Sequence, residues 1–207
     1  FLGCLTSLIR KRHPKLHDML LKAGAREMGF ADTLPPQLNS LYTPAEGDDD
    51  MAFLFSRRTT LEHVMRSYVA TLPGVTFETD VGVRTLVTAK ENGRLVVKGV
   101  NAERDTEPSG TRMGDIVIDA TGRNTLLTDD LRAAGANIPE DKSPAGILYF
   151  TRHYRLKPGQ EEPPRDAVPG AGDLGYIKFG VFAADHRHFS ITLAVPEIET
   201  SLRTATF

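Results

Sequence analysis

Between Gly114 and Thr125 the chain reads GDIVIDATGRNT. Asp119 is a carboxylate that could accept from a ligand hydroxyl or fix a turn by taking its own backbone N–H groups. Thr121 offers a hydroxyl, and Ala120 and Gly122 carry little or no side chain, so a flat ligand could approach the backbone closely. Arg123 adds a permanent charge whose planar fork suits phosphate. The three residues before Asp119, Ile116, Val117 and Ile118, have the composition of a strand buried on both faces of a layered sheet. In open α/β sheets ligands bind beyond the carboxyl ends of such strands. An ordinary glycine turn after a strand would have the same composition.

Other polar groups have less support. His13 and His17 are spaced to share a helix face, and His186 and His188 bracket Arg187, but neither pair has a third ligand at metal-site spacing. Asp48, Asp49 and Asp50 form an acidic run that reads as solvated surface. Cys4, the single cysteine, excludes an internal disulfide and fits a reducing compartment, so a cytoplasmic location is expected. Gly170 to Gly175 matches G-x-G-x-x-G, but it follows a proline-rich loop and leads into a strand pattern. A dinucleotide loop must follow a strand and open a helix, so this stretch is read as a turn.

The elements that would position these residues follow from periodicity. Helices are expected over Leu2 to Arg12, after Pro14 with the stripe Leu16, Met19, Leu20 and Ala23, and over SRRTTLEHVMRSYVATLPG with Leu61, Val64, Met65, Tyr68, Val69 and Leu72. Gly24 is a plausible C-cap and Pro73-Gly74 a stop. Ala31 to Asp50 has loop composition. Strands are expected at Val75 to Glu78, Val83 to Thr88 and Leu95 to Asn101, with Asn92-Gly93 as a hairpin turn. A polar excursion follows from Glu103 to Arg112. After the GDIVIDATG strand comes loop or short helix to Pro144. Three alternating strands, Ile147 to Leu156, Gly175 to Ala183 and His188 to Val195, suggest a separate antiparallel sheet.

The stretch DIVIDATGRNT resembles the second cofactor-side strand of FAD-dependent monooxygenases of the aromatic-hydroxylase, polyprenyl-methoxyphenol-hydroxylase-like type, with Thr125 where serine is usual. SRRTTLEHVMRSYV is similar to that family's Arg-x-x-Leu-Glu helix through Arg58, Leu61 and Glu62, and LPGVTFETDVGVRTL to the ribbon after it. The resemblance runs from about Pro14 to Thr125. It implies an α/β fold: a partial Rossmann-like FAD-binding domain with an antiparallel ribbon over 1–143, then part of a mainly antiparallel substrate domain over 144–207. It implies FAD as cofactor, NAD(P)H as reductant and a small organic substrate. For the site it implies Arg58 against the diphosphate, Val83 at the adenine, and Asp119, Thr121, Gly122 and Arg123 near the dinucleotide. Many relatives carry Asp-Gly where Thr121-Gly122 stands, which weakens the case for direct NAD(P)H use. The family's N-terminal GxGxxG and C-terminal Gly-Asp stretches do not occur in this chain, which is therefore expected to be an internal piece of a longer protein.

A net charge of −2 gives no electrostatic argument for nucleic acid, and no apolar run is long enough to span a bilayer. Tyr149, Arg152, His153 and Tyr176 are candidates to line a substrate pocket. The rival readings are a geranylgeranyl-reductase-like flavoprotein, a flavin-dependent halogenase and a non-enzymatic ligand-binding module. Oligomeric state stays open.

Overall fold

The computed structural model describes residues 3–34, 38, 40–104, 107–163 and 170–204. These contain four α-helices and three sheets, all of whose strand pairings are antiparallel. The chain divides into two compact units, Phe1–Val75 with Ala145–Phe207, and Thr76–Pro144. Each is described separately.

The helical part of the first unit is built by α1 (Gly3–Arg12), α2 (Pro14–Lys22) and α3 (Arg58–Val69). Pro14 starts α2, where its missing N–H costs nothing, and Gly24 follows its end with φ +90°. The stripes expected from sequence meet in one core: Ile9, Leu16, Leu20, Leu61 and Val64 are buried, with Met19, Ala23, Met65 and Tyr68 packed against them. Two short strands, β1 (Arg26–Met28) and β2 (Phe53–Phe55), pair beside this core and contribute the fully buried Leu54. Between them, Asp48 accepts from the Tyr42 hydroxyl at 2.6 Å and from Ala45 N at 2.8 Å, and Asp50 pairs with Lys11 at 2.6 Å. Two carboxylates of the acidic run therefore hold specific partners instead of only facing water.

The same unit carries a four-stranded sheet of β6 (Ile147–Arg155), β7 (Ala171–Asp173), β8 (Lys178–Ala183) and β9 (His188–Pro196), in the order β6-β9-β8-β7. The stretch 170–175 forms β7 and its turn, with no helix after it. β7 was not foreseen because its Ala-Gly-Asp sequence carries no strand signal.

In the second unit, β3 (Gly82–Glu91), β4 (Arg94–Arg104) and β5 (Glu107–Met113) form a ribbon in chain order, and α4 (Leu127–Ala133) contacts β3. Asn92 and Gly93 both have positive φ, +50° and +76°, and Glu91 faces Arg94, which is a two-residue type I′ hairpin. β5 occupies much of the expected polar excursion. Its backbone pairs with β4 although its side chains are not those of a strand. Gly99 allows this pairing, because a Cβ there would lie 2.1 Å from the Arg112 carbonyl oxygen.

Two expected strands do not form. Val75 to Glu78 and Ile116 to Ile118 are extended or irregular backbone without strand pairing. Ile116 and Ile118 are 81% and 84% exposed, not buried on both faces. A run of β-branched residues favours extended backbone, but a strand exists only where a neighbouring backbone pairs with it. No described segment does so for either stretch.

Candidate functional site

In the second unit, the DATG segment folds on itself. Asp119 Oδ1 accepts from Thr121 N at 2.9 Å and from the Thr121 hydroxyl at 2.6 Å, and Oδ2 accepts from the Thr125 hydroxyl. These bonds hold the Asp119 carboxyl below its usual value, the Thr121 hydroxyl contributing most, then the Thr125 hydroxyl and the Thr121 N–H. Of the two roles open to Asp119 in sequence, turn fixation is the one the geometry displays. Gly122 sits at φ +84°, with nothing within 4 Å of where a Cβ would stand. A side chain there would be strained by the backbone and not by crowding. Arg123 is exposed and makes no hydrogen bond or ion pair to a described residue.

Thr125 links this turn to the next helix, because its hydroxyl accepts from Leu127 N at 3.1 Å. α4 is in turn tied to the ribbon by Asp130, whose Oδ2 accepts from Leu86 N at 2.9 Å. Val83 lies on that same strand β3 and is 46% exposed, so it is not a core valine. The structure thus connects the strand of Val83 to the turn of Asp119, Thr121, Gly122 and Arg123 through one short helix.

In the first unit, adjacent arginines at the start of α3 have opposite environments. Arg58 is 84% exposed and its one charged partner among the described residues is Glu62, one helical turn on, at 2.6 Å. A cation at a helix N-terminus gains nothing from the macrodipole. Arg57 instead faces Asp185, which is 0% exposed. The Asp185 carboxylate accepts from Arg57 N at 2.7 Å, from Arg57 Nε at 3.0 Å and from the second guanidinium nitrogen at 2.9 Å, and from the Thr60 hydroxyl at 2.6 Å. Burial pushes this carboxyl upward, but the Arg57 guanidinium, the Thr60 hydroxyl and the Arg57 N–H outweigh it and hold the group far below the usual carboxylate range.

Asp185 therefore supplies, from a turn between β8 and β9, the acid that the start of α3 lacks in its own sequence. The turn is unusual: His186 and Arg187 both have positive φ, +50° and +64°. A Cβ on Gly24 would meet the His186 ring at 2.9 Å, so that glycine admits the ring. Sequence reasoning noticed the two histidines here and missed Asp185 and Thr60. The available signal was an acid closing the apolar run FGVFAAD, which names no partner.

The histidine pairs separate in the structure. His13 Nδ1 lies 3.3 Å from the Tyr68 hydroxyl, whereas His17 Nε2 lies 2.5 Å from Glu27, which also pairs with Arg10. Among the described residues, no group of three or more His, Cys, Asp or Glu side chains could hold a metal ion. On the β6 sheet, Tyr149, Thr151 and His153 share one face and Arg152 lies on the other. The Thr151 and Thr192 hydroxyls bond across that face at 2.8 Å, and Phe182 lies on it opposite Ser190. Tyr176 lies before β8, off the paired strands. Arg152 instead has its guanidinium carbon 5.7 Å from the Tyr154 ring centroid, and Tyr154 stacks on Phe189.

No protein-family model matches the chain, and no curated protein matches it. Among the described residues no helix is long and apolar enough to cross a membrane.

Proposed function

We propose that this chain is part of an FAD-dependent oxidoreductase, a monooxygenase acting on a small organic substrate, with the ribbon and the DATG turn belonging to a Rossmann-like flavin domain. The observation that carries the reading is the turn itself. Asp119 organises Thr121 and Thr125 around a left-handed Gly122 whose outer side is open. Serine or threonine at position 125 serves that arrangement equally, since the hydroxyl makes the bond. The donor set fits an anionic dinucleotide. Gly122 permits close approach, and Arg123 presents a guanidinium that makes no ion pair with a described residue.

In the second unit Val83 would offer its backbone to the adenine; in the first, the family resemblance gives the exposed Arg58, now paired with Glu62, a role toward a diphosphate. When bound, FAD would supply the redox and oxygen chemistry, with NAD(P)H as the reductant. The chain's own residues would bind and orient it, and the open face with Tyr149, Thr151 and His153 would position the organic substrate. The test is full-length protein assayed for bound flavin, substrate-dependent NAD(P)H oxidation and product mass. A product heavier by one oxygen supports the monooxygenase. A product gaining only hydrogen supports the reductase reading, and absence of flavin removes both.

A further inference from the structure

A second cationic site lies at the far end of β6. Arg155, Leu156, Lys157, Pro158 and Arg187 line an open pocket of about 490 Å³, a size that admits a small organic ligand. Three of these five residues are cations, and among the described residues no carboxylate lines the pocket. The Arg155 and Lys157 side chains make no hydrogen bond or ion pair with a described residue. Elsewhere in this unit Arg10, Lys11, Arg26 and Arg57 are each paired with an acid.

The third cation is held in place. Arg187 has φ +64° and follows His186 at φ +50°, a left-handed pair that side chains rarely adopt. Its guanidinium donates to the Lys157 carbonyl at 2.9 Å and to the Gln160 carbonyl, and its own carbonyl accepts from Leu156 N at 2.9 Å. The turn and the 156–160 segment are thus tied at three points. The cations stand on a preformed wall, and Leu156 and Pro158 supply an apolar side to it.

We propose that this pocket binds a small phosphate ester, the phosphate on Arg155, Lys157 and Arg187 and the organic part against Leu156 and Pro158. A phosphate monoester carries close to two negative charges and three acceptor oxygens, which suits three cations. A single carboxylate would leave two of them unneutralised. The site is independent of the flavin reading, since it shares no residue with Arg58 or the DATG turn.

The test is calorimetric titration of the protein with inorganic pyrophosphate at low salt, with acetate as the monoanionic control. Saturable binding with a Kd of about 1 mM or tighter is expected, and about tenfold weakening or more in Arg155→Gln/Lys157→Gln. Both side chains are exposed, so the melting temperature of that variant should match wild type. Arg152→Gln, on the opposite face of the same strand, should bind like wild type. Absence of saturation, equal affinity for acetate, or an equal loss in Arg152→Gln would overturn the proposal.

Discussion

Asp185 and Asp119 are both carboxylates saturated by hydroxyl and N–H donors, yet they do different work. Asp185 draws its partners from residues 125 and 128 positions away and is sealed from water. Asp119 draws all of its partners from within six residues and stays exposed. The first joins a sheet turn to a helix start and so belongs to the stability of its unit. The second shapes one loop and leaves the rest of that loop free for a ligand. Hydrogen-bond chemistry is the same in both places. Chain separation and burial decide whether a carboxylate holds the fold or a single loop.

That contrast can be broken first at Asp185. Removing one partner of a buried ion pair strands the other and typically costs 3–5 kcal/mol. Arg57 retains 34% side-chain exposure, so Asp185→Ala should cost about 3 kcal/mol, the low end of that range, in urea unfolding. A loss under about 0.5 kcal/mol, the size of an ordinary surface change, would show that the pair is not structural. Arg57→Ala should be destabilising for the same reason, so reduced flavin affinity in that variant would not by itself identify a ligand contact.

The acid limb of stability sharpens the same point. The Asp185 carboxyl is depressed in the folded protein, so the unfolded chain takes up the proton first as pH falls. Its contribution is complete above about pH 4 and drains away below it, toward the much lower folded value. Wild type should therefore lose stability between about pH 4 and pH 2 more steeply than Asp185→Asn. Parallel curves in acid titrations followed by circular dichroism would remove the buried charge from the explanation.

Asp119→Ala should behave differently. Its melting temperature should stay near wild type, while the Thr121 amide should lose hydrogen-exchange protection, since its acceptor is gone. A large drop in melting temperature would make this turn structural as well. The smallest effect is expected at Ile116→Thr/Ile118→Thr. Both side chains are exposed, so unfolding of this chain should change by no more than about 0.5 kcal/mol. A loss above about 2 kcal/mol would show the segment buried in solution, as its composition suggests.

The same contrast explains what could be read from sequence. The stripes of α2 and α3, the Asn92-Gly93 hairpin and the alternation within the strands of the β6 sheet are patterns written over a few consecutive residues, and they announce their elements. The turn that Asp119 makes with Thr121 was legible for the same reason. The Arg57–Asp185 pair depends on tertiary approach, which no periodicity encodes. Ile116 to Ile118 failed in the opposite direction: composition specified a buried strand, but pairing is a property of two segments and only one is present in the described structure. Arg57 and Arg58 are adjacent in the chain, and the structure separates them by what each one touches.

The flavin reading is tested most directly at Arg58. FAD dissociation constants should be measured for full-length wild type, Arg58→Ala and Arg58→Lys, with melting temperatures recorded without FAD. Arg58→Ala should bind FAD about tenfold to a hundredfold more weakly, with lysine restoring part of the loss because it keeps the charge and loses the fork. The melting temperature should hardly move, because the side chain is exposed and, among the described residues, its one ion pair spans a single helical turn. Unchanged FAD affinity in Arg58→Ala, or no FAD binding by the wild type, would contradict the assignment of this helix start to a flavin diphosphate.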